Sequence, residues 1–295
     1  MNLYQSAESN IRKTWLLLFV FLILFIGIGW ILMYVFDEPI ILLIAVIFSV
    51  VSSISSYWFS DKIVLSMAGA KEIAKRDNPE LYRIVENLCI TTGLPLPKIY
   101  ILNEEQPNAF ATGRDKDHAV IAVTTGLLAK LEKVELEGVI AHELSHINNR
   151  DMLLQTMIVV LVGVIAIVSN IFIRISFRGG RRDSKGGALL MVVGLVAIIL
   201  APIAANLIKL AISRKREFLA DAKGALITRY PEGLASALEK IASDPSPMRK
   251  KSTSTAHLFI SNPFKGKEKK SFFVRMYSTH PPTEERVAAL RGMKI

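Results

Sequence analysis

A chain of 295 residues in which 51% of side chains are apolar and mean hydropathy is positive is too greasy for an ordinary soluble domain. It reads as a membrane protein with some soluble mass. The net charge of +10 arrives without any recognised nucleic-acid module, so an anionic bilayer surface fits it better than nucleic acid. The single cysteine, Cys89, excludes an intrachain disulfide, and it falls beside a helical apolar stripe as a small core residue would.

Four apolar windows account for the hydropathy: residues 14–36, 39–59, 152–173 and 188–212. Each is about 20 residues or longer, enough at roughly 1.5 Å per residue to cross a ~30 Å hydrocarbon core. The first is too long for the core of a signal peptide, and no small-residue cleavage site follows it. Trp15, Trp30, Tyr34, Tyr57 and Trp58 lie near the ends of the first two windows, where aromatic rings favour the headgroup zone. Arg12 and Lys13 precede the first window, whereas only Asp37 and Glu38 separate it from the second. This asymmetry puts the N-terminus and residues 60–150 on the cytoplasmic side of the cell membrane, in a multi-pass protein.

Asn78 and Pro79 open an amphipathic helix, after which "KIYIL" (98–102), "NAFATG" (108–113) and "HAVIAVT" (118–124) read as short strands. The turn "RDKDH" joins the last two into a hairpin, and helices start near Thr125 and Val134. Strands followed by helices predict a small α+β domain on an antiparallel or mixed sheet. Residues 214–242 read as helical. Residues 244–272 are rich in Pro, Ser and Lys and read as a mobile segment around "HLFISNPF". Two prolines then lead "STHPPTEERVAAL" into a last helix.

The chemistry is concentrated in "VIAHELSHINNRDMLLQTM" (139–157). His142 and His146 are four apart, so on a helix they share a face and can bind one metal ion. Glu143 borders that face, where it can take a proton from an activated water. Tetrahedral zinc needs another protein ligand. The histidines end just before the third apolar window, and the fourth window ends just before "SRKREFLADAKGAL". The chain therefore returns to the face it left, bringing Glu217 to the histidines as third ligand. Asp221, one turn on, is placed to accept the other ring N–H of a ligand histidine. His118 and His257 sit in loop-like polar stretches and are expected to contribute nothing to the metal. No nucleophile elbow and no Walker loop is present.

"HELSHINNRD", "REFLADAKGA" and "STHPPTEER", in this order and flanked by hydrophobic hairpins, resemble the M48 membrane metallopeptidases, specifically their HtpX-type heat-shock proteases. The resemblance covers essentially the whole chain. It implies one Zn2+ per chain on His142, His146 and Glu217, with Glu143 as catalytic base. It also implies cleavage of unfolded or damaged membrane proteins from the cytoplasmic side, in quality control and stress response, overlapping an ATP-dependent membrane protease. Under this reading "NAFATG", through Asn108, Ala109, Phe110 and Ala111, is either an edge strand that pairs with an extended substrate or an ordinary hairpin strand. His280 is the best remaining donor to the oxyanion, with Arg286 its rival or partner; either could instead fix the C-terminal helix.

The expected fold is thus an α-helical membrane protein of about four hydrophobic helices carrying a small zincin-like α+β metalloprotease domain. Residues 1–59 form the first hairpin, 60–151 the first part of the catalytic domain, 152–212 the second hairpin, and 213–295 the second catalytic part. "KLEKVELEG" before the histidines is too charged for the bilayer core, which puts the site at or above the interface. The loop between windows three and four is basic, against the positive-inside tendency, so a dipping hairpin competes there with two full spans. Two other function classes compete with the protease: a catalytically weak metal-binding scaffold or chaperone of the same fold, and a small transporter. The intact Glu143 disfavours the scaffold, and the lack of an acid–base pair at the membrane midplane disfavours the transporter.

Overall fold

A computed structural model describes residues 3–178, Val196, Ile203, Leu207, 213–249, 254–264 and 281–293. The first window lies in α1 (Leu3–Phe36), which begins well before the apolar run, and the second in α2 (Ile40–Ala68). The third forms α6 (Asp151–Arg178). Among the described residues these are the three helices long and apolar enough to cross a membrane. Most of the fourth window, and with it the choice between span and dipping hairpin, lies outside the described residues. Val196 and Leu207 of that window are buried in the cluster that joins α1 to α6. α1 and α6 meet through Leu17, Leu18 and Phe21 against Leu154, Met157 and Ile158. Around the membrane boundary, Trp15 stacks on Tyr57 at 5.5 Å, and the Arg114 guanidinium lies 4.8 Å over the Trp58 ring.

The extramembrane domain is built on four strands: β1 (Lys71–Glu72), β2 (Lys98–Leu102), β3 (Ala109–Gly113) and β4 (Ala119–Thr124). Their order is β1-β2-β4-β3. β2 runs parallel to β4, while the β3–β4 hairpin and the β1–β2 pair are antiparallel, so the sheet is mixed. The two-residue β1 has too little pattern to be read from sequence. Alternation along β4 sends Ile121 and Val123 to one face and Val120 and Ala122 to the other. The first face packs on α3 (Pro79–Thr92) and α5 (Lys133–Asn148), through Leu81, Ile84, Val139 and Leu144. The second packs on the ends of the membrane helices through Val64, Leu65 and Val159, with Phe259. Cys89 is buried among the first set, as expected.

Short α4 (Thr125–Lys130) leads from β4 toward α5, and α7 (Arg214–Thr228), α8 (Pro231–Ser243) and α9 (Thr283–Arg291) complete the domain. The expectation of a mobile segment around "HLFISNPF" needs correction. Leu258, Phe259 and Ile260 are buried, and Phe259 meets Phe110 edge-on at 5.0 Å. The prolines and serines that suggested mobility flank an apolar triplet, which docks the segment on the sheet.

Candidate metal centre

α5 is the spine of the site. Its N-terminal Glu135 accepts from the Glu132 backbone N–H at 2.8 Å, from the Ser236 hydroxyl at 2.9 Å and from Lys240 at 2.8 Å. Burial alone would raise the Glu135 carboxyl; the bonds from Lys240, Glu132 and Ser236 outweigh it and hold the group below its usual range. The same bonds lock α5 to α8. Two turns on, His142 and His146 project from one face, their rings nearly perpendicular with centroids 4.7 Å apart. Their Nε2 atoms face each other at 3.2 Å.

α7 brings Glu217, Asp221 and Gly224 to α5 at i, i+4 and i+7, one face of a helix. A Cβ on Gly224 would stand 3.0 Å from the His142 backbone nitrogen, so a glycine is what lets the two helices approach so closely. The approach sets Glu217 Oε2 3.8 Å from His142 Nε2 and Oε1 3.6 Å from His146 Nε2. The three groups are buried, converge within 4.8 Å and could hold a metal ion. Donors bound to one tetrahedral zinc at about 2.0–2.1 Å are separated by roughly 3.3 Å. The two Nε2 atoms, 3.2 Å apart, match that separation, and each imidazole has one Glu217 oxygen within 3.8 Å, so the three side chains could close on a zinc-sized ion.

Each ligand histidine leans on a carboxylate. Asp221 Oδ1 lies 2.9 Å from His142 Nδ1. Arg286 holds Asp221 from behind, donating from Nε at 2.8 Å and from a terminal nitrogen at 2.6 Å. Burial pushes the Asp221 carboxyl up, but the Arg286 charge and bonds and the His142 contact bring it down to about 2. His146 Nδ1 donates to Asp151 Oδ2 at 3.1 Å. Burial disfavours the imidazolium, yet the Asp151 bond and the negative charges of Glu217, Asp151 and Glu143 lift its pKa to about 9.

The sequence reading missed Asp151. An acid opening an apolar helix reads as a partner for the helix dipole, and nothing local shows that the chain doubles back onto His146. The turn is made by Arg150 in the left-handed region, with φ 57°, between α5 and α6. Glu143 is buried beside its neighbours, and its charge reaches His146 and Arg286. Arg286 spends two donors on Asp221, which makes it a holder of the histidine support. His280 lies outside the described residues. Neither His118 nor His257 joins the cluster. His118 pairs with Asp115 at 2.6 Å on the surface, but His257 is buried with Nε2 3.3 Å from the Gln155 carbonyl, which corrects its expected polar loop.

β3 lies at the sheet edge and packs against both α5 and α6. Thr124 N–H donates to the Asn108 carbonyl, so Asn108, Phe110 and Thr112 point their backbone at β4, leaving Ala109, Ala111 and Gly113 to face outward. The Ala109 carbonyl is taken by the Ile260 N–H at 3.0 Å. The Asn108 side chain is engaged with the Ser261 backbone on both of its polar atoms, and Phe110 is fully buried.

Long membrane helices, a mixed sheet and a His-His-Glu cluster with an adjacent glutamate define a membrane-associated metallopeptidase. The profile of "Peptidase family M48" matches residues 75–294, and the chain belongs to that family. Relatives described as "Protease HtpX homolog" include one from Tropheryma whipplei (strain Twist), 44% identical over 99% of this chain and 98% of the relative. Another, from Pyrococcus furiosus, is 52% identical over 81% of this chain and 82% of the relative. Among solved structures, that titled "Crystal Structure of S. mikatae Ste24p" superposes with a TM-score of 0.50 at 20% identity, covering 95% of this chain and 67% of that one. It supports the fold.

Proposed function

We propose that the chain is a zinc-dependent endopeptidase that cleaves unfolded or damaged membrane proteins at the cytoplasmic face of the cell membrane. The observation that carries this reading is the convergence of His142, His146 and Glu217 beside Glu143, on a helix that turns directly into membrane helix α6. His142, His146 and Glu217 would hold zinc, which would supply Lewis-acid polarisation of the carbonyl and a water activated at neutral pH. Glu143 accepts the proton of the attacking water and delivers it to the leaving amine. Asp221 and Asp151 hold the two imidazoles with their Nε2 lone pairs turned inward. β3 is the edge strand beside the zinc helix and would be the strand that an extended substrate pairs with, once its buried edge is opened. Arg12 and Lys13 before the apolar run of α1, against Asp37 and Glu38 after it, support the cytoplasmic orientation.

The test presents an unfolded membrane-protein substrate to full-length protein in inside-out and right-side-out vesicles, with zinc present. Cleavage confined to substrate added at the cytoplasmic face supports the proposal. Cleavage only from the other face refutes the orientation, and zinc binding without cleavage from either face supports the scaffold instead.

A further inference from the structure

The Asp151 carboxylate that supports His146 is itself held from an unexpected direction. Its Oδ2 accepts from His146 Nδ1, while its Oδ1 accepts from Asn10 Nδ2 at 2.7 Å. Asn10 lies on α1, before the apolar run, and is 141 residues from Asp151 in the chain. It is only 3% exposed. The second neighbour of its amide is the Asn149 carbonyl, at 3.4 Å. Both neighbours are acceptors, so the NH2 end of the amide must face them.

The apolar seam of Leu17, Leu18 and Phe21 against α6 already docks α1 by packing. A buried amide adds little to such docking; it adds direction. Arg216 of α7 flanks the same carboxylate oxygen, with Nε at 3.6 Å. Asp151 is thus fixed from α1 and α7 together. A carboxylate free to rotate would let the His146 ring swing, and the Nε2 lone pair would leave the point where the three ligands converge.

We propose that Asn10 is a positioning residue of the metal centre: by holding Asp151 it fixes the acceptor that orients His146, so that the first membrane helix is part of the ligand frame. The inference rests on the metal reading above. It assigns α1 a part in metal retention besides that of an anchor.

The experiment measures zinc release from full-length protein in detergent into an excess of a colour-changing chelator. Partners that orient a ligand histidine are worth roughly 10–100-fold in metal affinity; Asn10 acts one bond further out, so Asn10→Leu should speed release about 3–10-fold. Asn10→Ser, which keeps a donor at shorter reach, should fall between Leu and the native residue. Leu18→Ala loosens α1 packing without touching Asp151 and should release zinc at the native rate. In an Asp151→Ala background, where the carboxylate that Asn10 holds is gone, Asn10→Leu should add nothing. Native release from both Asn10 variants, equal acceleration by Leu18→Ala, or effects that multiply in the double variant would each overturn the inference. Zinc that is insensitive to His142→Ala and Glu217→Ala even in the native background would instead refute the metal reading itself.

Discussion

Arg286 closes on Asp221 with two near-parallel bonds of 2.8 and 2.6 Å, and both side chains are almost wholly buried. The pair stands behind His142, so the C-terminal helix α9 reaches the metal centre through one carboxylate. Removing the cation leaves a buried charge without its partner, which typically costs about 3–5 kcal/mol. Arg286→Ala is expected to lower the thermal midpoint and the zinc content together. Arg286→Lys keeps the charge but loses the paired geometry and should show an intermediate loss. Thermal unfolding with metal analysis on the same samples checks both; a stable, fully loaded Arg286→Ala would contradict the assignment.

In the metal-free site His146 keeps its proton up to about pH 9. Zinc must displace that proton, so binding strengthens as pH rises, by about tenfold per unit below the pKa. Between pH 7 and 8 the apparent dissociation constant should fall accordingly and then level off near 9. Stability of the metal-free protein moves oppositely. The raised pKa contributes stability that is full below the unfolded value of about 6.5 and is lost as pH rises through about 9. Zinc titrations and melts across this window read the two slopes; a pH-independent affinity would contradict the protonated site.

Gly224 sets the spacing between α7 and α5. Gly224→Ala puts a methyl 3.0 Å from the His142 backbone nitrogen, so α7 must give by a few tenths of an ångström; the expected outcome is a loss of about 1–3 kcal/mol together with weaker zinc binding through Glu217. Gly163→Ala, where no heavy atom lies within 4 Å of the added carbon, serves as control and should leave zinc affinity unchanged. Isothermal titration of both variants distinguishes helix spacing from a general loss of helix quality.

Ser261 and Asn108 tie residues 258–262 to the β3 edge. Asn108→Ala leaves the Ser261 carbonyl and N–H without those bonds, at roughly 1–3 kcal/mol. Amide exchange at Phe259–Ser261 should accelerate while exchange within β4 stays slow. Unchanged exchange there would show that Phe259 packing alone holds the segment.

Much of this was legible in the sequence because the signals were local and periodic. The apolar windows of α1 and α2, the i, i+4 histidines and the return of the chain to Glu217 and Asp221 all follow from helix geometry and the width of a bilayer. The support around the ligands was not legible. Asp151 depends on a left-handed Arg150, and Asn10 depends on a contact between residues 141 apart. The buried strap 254–264 was misread because composition flanking Phe259 outweighed three apolar residues. Arg286 carried an ambiguous charge until its partner was seen.

One metal, three ligands and one base make up the proposed site. It is tested most directly by preparing metal-free native protein and its Glu143→Gln variant, titrating zinc, and following cleavage of an unfolded substrate. Each should bind one equivalent, with cleavage restored only in the native protein and lowered about 10²–10⁴-fold by the substitution. Equal cleavage by both, or cleavage by the native protein without metal, would contradict it.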